Sequence, residues 1–495
     1  MSLVVNTNIS SLAAQRSLNE VDREMKVAME RLATGQRING AADDAAGLAV
    51  SQRMEAQIGG LNQAIRNTQD GLAMVDTIEA SMDEAADILQ RMRTLAGQAA
   101  TDTTSYTDRV MINNELTALK NELTRMAEST RFGDQKVLDG NFTAKAIQTG
   151  ANQGETVTVS VSSIAAASLG GFQLTSTGSA AQSGDGSFGT HPHLVRETFT
   201  ITPSGGSATT NIGATAGHSA KDIAAEVNAL TGSTGVTAVS KTFAKLVITP
   251  AANKNFTFTI SSDESGTSAN IASTAASATN LAGLTAEINK HTTTTGFTAH
   301  NYNTYIMLES DGRDLQITNT STDADSDATI QAFDFDGTSN QGAAADLLDG
   351  NTATVDDTAM VMGQFRLSSS RDFAVTGAAG SPISTATNAS LDDISSLGVT
   401  TQSAAAKAIT TIDGAIGRLA SNRADLGALQ NRLEHSIDRM MVTAEATTAA
   451  QSVIQDTNFS AESANLAKAQ VLQQVGTAML AQANAQPQLV LQLLQ

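Results

Sequence analysis

The amino-acid sequence predicts an α+β fold. Both ends of the chain are expected to form a long α-helical coiled-coil bundle, and a central, mostly β region is inserted between them and projects outwards. The first observation is the placement of proline, which breaks the interior of a helix. The prolines are Pro192, Pro203, Pro250, Pro382 and Pro487. The second observation is composition: residues 145–395 are rich in Gly, Ser, Thr and Asp, whereas the flanking parts carry apolar residues at helical spacing.

Three apolar patterns follow one another in the N-terminal part of the chain. Each advances by three and four residues, the spacing that keeps an apolar stripe facing a partner helix in a coiled coil. Their members are Leu18, Val21, Met25, Ala28 and Leu32, then Met54, Ile58, Leu61, Ile65, Thr68, Leu72, Val75, Met82, Ala85, Leu89, Met92, Ala96 and Ala99, and last Ile112, Leu116, Leu119, Leu123 and Met126. The sequence therefore predicts three helices, of which the second needs a partner along its whole length.

Two further apolar patterns near the C-terminus provide that partner. The first comprises Ile412, Ala415, Leu419, Leu426, Leu429, Leu433 and Met440, with Asn422 where an apolar residue is due, and the second comprises Leu466, Val471, Leu472, Val475, Met479 and Leu480. Since neither end has a globular core by itself, we expect the helices of the two ends to pack side by side. Residues 1–40 and 455–495 have narrow apolar faces, and we expect these segments to become ordered only when another surface buries those faces.

Two small α/β modules are predicted inside the central region, at about residues 197–250 and 255–318. The segments Ala225-Glu226-Val227-Asn228 and Gly235-Val236-Thr237-Ala238 reappear 61 residues later as Ala286-Glu287-Ile288-Asn289 and Gly296-Phe297-Thr298-Ala299. The apolar strands that follow are Leu246-Val247-Ile248 and Ile306-Met307-Leu308. We interpret the two modules as a duplicated strand, helix, strand unit.

Composition excludes several classes of function. The formal net charge of −20 disfavours nucleic acid and anionic membranes, because phosphate binding needs a lysine and arginine footprint. The chain has no cysteine, which removes disulfides, thiolate metal sites and cysteine nucleophiles. No stretch is apolar enough for membrane insertion, and the first residues lack the pattern of a cleaved signal peptide. If the protein leaves the cell, we expect another route of export.

The histidines form no pattern that indicates a metal site. They are His191, His193, His218, His291, His300 and His435. The closest pair, His191 and His193, has no carboxylate or thiolate neighbour at ligand spacing, which favours a solvated loop over a zinc site.

The clustered aspartates also favour structural roles. Asp323, Asp325 and Asp327 lack the glycine and the glutamate that a calcium loop requires. Asp43 and Asp44 precede a predicted helix, where carboxylates cap free backbone amides. Nucleophile elbows, phosphate loops and dinucleotide fingerprints are missing from the sequence. We therefore predict no catalytic residue, no metal ligand and no cofactor, and expect a non-enzymatic protein that functions through interaction.

Motifs at both ends of the chain strongly resemble bacterial flagellin. At the N-terminal end they are Val5-Asn6-Thr7-Asn8-Ile9-Ser10-Ser11-Leu12, Glu30-Arg31-Leu32-Ala33-Thr34-Gly35-Gln36-Arg37-Ile38-Asn39 and Ala42-Asp43-Asp44-Ala45-Ala46-Gly47. At the C-terminal end they are Leu429-Gln430-Asn431-Arg432-Leu433, Ala469-Gln470-Val471-Leu472-Gln473-Gln474, Leu480-Ala481-Gln482-Ala483-Asn484, Pro487 and Val490-Leu491-Gln492-Leu493-Leu494. The resemblance covers about residues 1–142 and 400–495, and the two modules are more weakly similar to a small repeat of flagellin insertions.

The resemblance implies a structural subunit that self-assembles into the flagellar filament for swimming motility. It implies three nested domains: residues 1–42 plus 453–495 as an inner-tube helical domain, 43–170 plus 395–452 as an outer-tube bundle, and 171–394 as a surface-exposed insertion. The residues expected to form the self-assembly seams are Leu12, Leu18, Val21, Met25, Leu32, Leu466, Val471, Leu472, Val475 and Met479.

The resemblance also implies partners and an extracellular location. The chain would be secreted unfolded through the flagellar type III export apparatus with an export chaperone, and would add beneath a filament cap protein next to junction proteins. Filament switching in the family involves two subunit states. Gly59, Gly60, Ala96 and Gly97 within the long helices either ease sliding or permit close packing.

A further implication concerns Toll-like receptor 5, an innate immune receptor that recognises many flagellins. Gln90, Arg91, Leu95 and Glu115 match the helical patch that the receptor binds, whereas Thr94 replaces the usual glutamate. A role of the arginines in the bundle alone explains them equally well. Two alternatives to a filament subunit remain at this point, a hook-filament junction protein and a flagellin whose insertion carries an enzymatic activity.

Overall fold

The computed structural model describes residues 7–176, 180–182, 198–204, 206, 212, 219–249, 254–262, 268–277, 279–321, 327–347, 358–377 and 387–493. The helices are α1 (Ile9–Thr34), α2 (Ala45–Ala99), α3 (Tyr106–Ser129), α4 (Ala220–Ala229), α5 (Thr231–Thr234), α6 (Ala282–Lys290), α7 (Thr292–Thr295), α8 (Gln402–Gln455) and α9 (Phe459–Leu493), with a 3₁₀ turn at Ile394–Ser396.

The strands occupy the region between α3 and α8. They are β1 (Arg131–Phe132), β2 (Gln135–Lys136), β3 (Lys145–Gln148), β4 (Thr156–Val159), β5 (Gly170–Thr175), β6 (Ala180–Gln182), β7 (Phe199–Pro203), β8 (Val236–Ile248), β9 (Lys254–Ser262), β10 (Ser268–Ala276), β11 (Thr298–Asn301), β12 (Ile306–Ser310), β13 (Leu315–Asn319), β14 (Ala328–Phe333), β15 (Asn340–Leu347), β16 (Thr358–Val361), β17 (Gln364–Ser369), β18 (Phe373–Gly377), β19 (Thr387–Asn388) and β20 (Ser390–Asp393). Long terminal helices around a β-rich middle confirm the predicted α+β class.

Polar side chains cap the first turn of both N-terminal helices, α1 and α2. The Asn8 side chain accepts a hydrogen bond from the Ser11 backbone N–H and so caps α1. Asp44 accepts from the backbone N–H groups of Ala46 and Gly47 at the start of α2, which confirms its predicted capping role. At its C-terminal end, α9 continues past Pro487 to Leu493.

The chain forms two compact units. The first comprises Met1–Val75, Ala144–Val159 and Ala428–Gln495, and the second comprises Asp76–Thr143 and Ser160–Gly427. Residues of α2 and α8 belong to both units. The division into three nested domains stays a prediction.

The helices of the second unit bury the apolar patterns that the sequence predicts. The fully buried members are Met82, Ala85, Leu89, Met92, Ala96 and Ala99 on α2, Leu116 and Leu123 on α3, and Ile412 and Ala415 on α8. Arg423 of α8 forms ion pairs with two residues of α2, Glu79 at 2.8 Å and Asp83 at 3.0 Å. Asn422, which interrupts the seam, has a buried amide nitrogen without a hydrogen-bond partner among the described residues.

Helix α8 also approaches β5 within the second unit. A β-carbon built on Gly414 would lie only 2.5 Å from the Cα atom of Gly171, so the two backbones touch where both residues lack a side chain. Next to this contact, Gln173 donates a hydrogen bond to the Thr411 hydroxyl, which in turn donates to Asp392.

Antiparallel sheets form the inserted region. The largest has the strand order β11-β12-β8-β17-β5-β20, with β14 also paired to β8 and β15 paired to β14. A second sheet has the order β10-β9-β13-β16-β6, and a third has the order β19-β18-β7. Two hydrophobic clusters lie in this region, one that includes Ala244, Leu246 and Ile248 of β8, and one that includes Val236 and Ala238 of the same strand.

The predicted repeat appears in the hydrogen bonds. Asn228, at the end of α4, donates to the Ala238 carbonyl and accepts from the Ala238 N–H, at 2.9 and 2.8 Å. Asn289, at the end of α6, makes the same two bonds to Ala299, at 2.9 and 2.7 Å. The two modules differ after these hydrogen bonds. In the first module β8 continues as one strand to Ile248, whereas in the second module the chain folds back as the hairpin β11-β12.

Candidate functional site

The two outermost helices of the chain, α1 and α9, form an antiparallel pair within the first unit. The Asn8 amide donates to the Ala483 carbonyl at 2.8 Å, and Gln473 donates to the Asp22 carboxylate at 2.8 Å. Because residues early in α1 meet residues late in α9, the helices run in opposite directions. This confirms that the two ends of the chain pack side by side.

Small residues line the contact between α1 and α9. Ala28 and Ala469 are 2% and 3% exposed. A β-carbon on Gly476 would lie 2.9 Å from the Cδ1 atom of Leu18. Close approach of the two backbones therefore leaves a narrow buried face.

Backbone hydrogen bonds fasten the end of α1 to the beginning of α9. Gly35 ends α1 in the left-handed conformation, with φ of 73°. The Thr457 N–H donates to the Gly35 carbonyl at 2.9 Å, and the Arg37 N–H donates to the Gln455 carbonyl at 2.7 Å. The guanidinium of Arg37 adds a bond to the Ile454 carbonyl at 2.7 Å. The turn after α1 and the turn before α9 are thus joined.

The predicted seam residues divide into two groups. Leu18, Val21, Met25, Leu32 and Leu466 are half-buried. Leu12, Val471, Leu472, Val475 and Met479 are exposed, at 61%, 58%, 39%, 53% and 61%. The pair therefore leaves half of the predicted seam open to solvent.

Further exposed apolar residues of this unit were not among the predicted seams. They include Ile9, Val27, Met29, Val453 and Phe459. Reading the sequence for a single stripe on each helix misses them, because such a stripe describes only one side of the helix. Large apolar side chains at several positions around one helix were the available signal, since such a helix needs cover on more than one side.

A charged cleft of about 520 Å³ lies along the same helix pair. It is lined by Glu20, Arg23, Glu24, Val27, Ala28, Arg31, Glu462, Asn465, Lys468 and Ala469. Arg31 pairs with the largely buried Glu462 at 3.7 Å. Charges of both signs lie next to each other in this cleft, which argues against a site for one kind of small ion.

The glycines of α2 have different surroundings. A β-carbon on Gly60 would lie 3.1 Å from Ala151 of the β3-β4 hairpin, and one on Gly71 would lie 2.5 Å from Ile147. Close packing thus accounts for Gly60, and for Gly71, which the sequence reasoning missed. A β-carbon on Gly59 or Gly97 would meet nothing within 4 Å.

The four residues of the predicted receptor patch lie in the second unit. Arg91 of α2 donates from Nε and Nη2 to Oε1 of Glu115 on α3, at 2.9 and 2.6 Å. Gln90 is exposed, and the Thr94 hydroxyl donates to the Arg91 carbonyl. Leu95 is only 3% exposed. Three of the four residues are therefore accessible, and Leu95 belongs to the core of its unit.

Among the described residues, no group of three or more His, Asp or Glu side chains is arranged to hold a metal ion. His191, His193, His218, Asp323 and Asp325 lie outside the described residues. In the same part of the chain, none of the helices combines the length and apolarity that crossing a membrane requires.

Comparison with known families gives three matches. The family described as "Bacterial flagellin N-terminal helical region" matches residues 5–143. The family described as "Bacterial flagellin C-terminal helical region" matches residues 409–494. A third, "Flagellin hook IN motif", matches residues 198–251, which contain the first of the two modules.

Curated relatives match over the whole chain. The B-type flagellin of Pseudomonas aeruginosa is 34% identical over 500 residues, with 100% of both chains covered. Flagellin A of Vibrio anguillarum is 31% identical over 497 residues, and polar flagellin C of Vibrio parahaemolyticus is 31% identical over 498 residues, each again with full coverage of both chains.

Solved structures align with low scores. FliC from Burkholderia pseudomallei is 17% identical, with a TM-score of 0.29 over 73% of this chain and 99% of that chain. Flagellar hook associated protein-3 from Legionella pneumophila is 15% identical, with a TM-score of 0.35 over 81% and 97%. Neither score carries an argument about function.

Proposed function

Because the chain belongs to the bacterial flagellin family, and is thus a structural subunit of the flagellar filament, we propose that the α1–α9 pair is the surface through which one copy packs on the next. Family membership also implies self-polymerisation and a role in motility. The hook-filament junction alternative has less support, since the relatives that match over the full length are flagellins.

The single observation that carries this proposal is the open half of the apolar seam. Leu12, Val471, Val475 and Met479 are each more than half exposed. Burying such a side chain against a second copy would contribute on the order of 1 kcal/mol, at about 25 cal/mol per Å² of apolar surface. Head-to-tail contacts that do not close into a ring would then give an open helix.

The domain assignment follows as part of the proposal. Residues 1–42 and 453–495 would form the inner tube, residues 43–170 and 395–452 the outer tube, and residues 171–394 the surface of the filament. The joined turns at Gly35 and Thr457 support a common boundary for the first pair of segments. In the free monomer we expect α1 and α9 to open easily, because the face they share is narrow.

The remaining partners are proposed from the family. The chain would reach the extracellular filament through the flagellar type III export apparatus with an export chaperone, and would meet the filament cap protein and junction proteins there. A chain without cysteine cannot be cross-linked by disulfides in an unfolded state, which suits passage through a narrow channel.

Recognition by Toll-like receptor 5 is proposed for the exposed part of the patch. Gln90, Arg91 and Glu115 offer polar contacts, whereas the buried Leu95 would act by holding α2 in place. In a receptor reporter assay on monomer, Arg91→Ala should weaken signalling about tenfold, the size of one charged contact. Arg125→Ala, outside the patch on α3, is the control. Equal signalling by the two variants would show that Arg91 does not contribute to receptor binding.

Seeded growth tests the filament proposal. Short filament seeds are added to purified monomer in high sulfate or phosphate, which strengthens apolar burial. We expect helical fibres that lengthen with monomer concentration. Seeds that fail to grow would contradict self-assembly, and seeds that accept one layer and then stop would favour a junction protein.

A further inference from the structure

The turn between α1 and α2 contains the only Asn-Gly sequence of the chain, Asn39-Gly40. In such a pair the glycine nitrogen attacks the side-chain carbonyl carbon of the asparagine readily, because glycine has no β-carbon to hinder the approach. A bond forms between the Gly40 nitrogen and Cγ of Asn39, the Cγ–Nδ2 bond breaks, and Nδ2 leaves as ammonia with the proton of the glycine N–H. Water then opens the resulting succinimide ring and leaves an aspartate or an isoaspartate.

One carboxylate holds both backbone amides of this pair. Oδ2 of Asp43 accepts hydrogen bonds from the Asn39 N–H and from the Gly40 N–H, each at 3.0 Å. In return, the Asp43 N–H donates to the Gly40 carbonyl at 3.1 Å. The nitrogen that would attack is therefore the donor of a charge-assisted hydrogen bond, and this bond has to break before the ring can close.

The asparagine side chain is held as well. Its amide nitrogen, Nδ2, donates to the Gln36 carbonyl at 3.4 Å, which ties the side chain to the beginning of the turn. Asn39 and Gly40 are both half-buried. Both reacting groups of the pair are thus engaged in hydrogen bonds that ring closure would disturb.

The turn is anchored on either side of the pair. Ile38, directly before it, is only 2% exposed. A β-carbon on Gly47 of α2 would lie 2.7 Å from Cδ1 of Ile38, so the isoleucine packs against the first turn of that helix. Asp44, after the pair, caps the same helix. The pair therefore reaches a reactive arrangement only when the turn opens locally or the chain unfolds.

We propose that Asn39 is a deamidation site that the folded turn protects and that opening of the turn exposes. Asp43 protects the site by retaining the Gly40 N–H. Since ammonia leaves, refolding does not restore the asparagine, and the new carboxylate lies beside that of Asp43 and repels it. The modification would record permanently how long the turn was open. The proposal does not depend on the proposed packing of one copy on the next.

Mass spectrometry of one peptide measures the reaction. Cleavage by trypsin after Arg37 and Arg53 releases residues 38–53, in which Asn39 is the only asparagine. Full-length monomer is kept at mildly alkaline pH, either folded or in concentrated guanidinium chloride, and is digested after increasing times. The conversion of the side-chain amide to an acid is counted for both products together. Circular dichroism verifies that each variant is folded at the start.

Asp43→Ala and Asp44→Ala form the matched pair of variants. Both remove a carboxylate next to the turn, but Asp44 bonds to backbone N–H groups of α2 and not to those of the Asn-Gly pair. Asp43→Asn keeps an oxygen acceptor at the same place and decides the question if Asp43→Ala loses helix. Fragment spectra then assign the change to residue 39.

We expect unfolded wild type to deamidate at Asn39 about thirtyfold faster than folded wild type, a ratio equivalent to about 2 kcal/mol, the size of two hydrogen bonds. Folded Asp43→Ala should react at least about tenfold faster than folded wild type, whereas Asp44→Ala and Asp43→Asn should stay close to it. In guanidinium chloride, wild type and the two alanine variants should react alike, because no turn is left to protect Asn39.

Three results would overturn the proposal. The first is an equal rate for folded and unfolded wild type, which would show that the turn gives no protection. The second is a folded Asp43→Ala that reacts as slowly as wild type, or an Asp43→Asn that reacts as fast as the unfolded chain. The third is equal acceleration by Asp43→Ala and Asp44→Ala, which would assign the protection to the start of α2 and not to Asp43.

Discussion

Gly476 of α9 lies so close to Leu18 of α1 that a β-carbon at residue 476 would come within 2.9 Å of the leucine Cδ1 atom. We expect Gly476→Val to push the helices apart and to reduce seeded polymerisation strongly, while the helices of the second unit stay folded by circular dichroism. Gly59→Val is the matched control, because a β-carbon there meets nothing within 4 Å. Normal filament growth by Gly476→Val would show that the close approach is dispensable.

Val475 tests the open half of the seam. The residue is 53% exposed, so Val475→Asp should change the free energy of unfolding of the monomer by only about 0.5 kcal/mol. In a filament the new carboxylate would have to be buried, and we expect the monomer concentration needed for growth to rise at least about tenfold. The control is Gln474→Asp, on the exposed residue next to it. If both variants polymerise alike, Val475 does not lie in a subunit contact.

Asn228 and Asn289 test the duplication. Each side chain exchanges two hydrogen bonds with a strand residue, Ala238 or Ala299. Replacing either asparagine by alanine leaves buried backbone groups without partners and should lower the free energy of unfolding of the inserted region by about 2–3 kcal/mol. Hydrogen exchange measures this locally, with the exposed Asn340→Ala as control. Unequal losses at the two sites would mean that the modules no longer share the same structural role for this residue.

Two glycines of α8 make a matched pair. Gly414→Ala would place a β-carbon 2.5 Å from the Cα atom of Gly171, and we expect a loss of about 1–3 kcal/mol through overpacking. Gly427→Ala meets nothing within 4 Å and should stabilise the same helix by about 0.5–1 kcal/mol. Urea unfolding followed by circular dichroism compares them. Effects of the same sign would contradict the contact between α8 and β5.

Asp334 gives the inserted region a dependence on pH. Burial alone would raise the pKa of Asp334, but hydrogen bonds from the backbone and hydroxyl of Thr338 and from Ser339 outweigh it and lower the pKa. A lowered folded pKa stabilises the fold above the ordinary value of about 3.9 and loses that contribution as pH falls through the lowered pKa. Asp334→Asn should therefore destabilise the region at neutral pH and make little difference in strong acid. Asp102→Asn, in an exposed loop, serves as control in a pH series of urea unfolding.

The sequence was sufficient to predict the helices, but it was not sufficient to predict the closest contacts that they make. Leu89 of α2 and Leu116 of α3 each belong to an apolar pattern with coiled-coil spacing. Because a long helix gains most of its stability by burying such a stripe, the burial of both residues could be predicted from the sequence. The contact between Gly171 and Gly414 could not be predicted, because a glycine has no side chain that would contribute to an apolar pattern and the two residues are far apart in the chain.

The candidate site was predicted as a set of apolar residues, without the direction in which each points. Periodicity found both Leu18 and Val475, yet only packing against the opposite helix separates the half-buried leucine from the exposed valine. Leu95 illustrates the same limit: a matching motif places a residue in a patch, and only the fold reveals that its side chain faces inwards.

Strand β8 has a consequence for how such an insertion can change over evolutionary time. Val236 and Ala238 at its beginning belong to one hydrophobic cluster, and Leu246 and Ile248 at its end belong to the other. A deletion that removed the first module would therefore also remove residues from the core of the second. Changes of length are instead expected to accumulate in the turn between β11 and β12, where the chain can be lengthened without moving a buried residue.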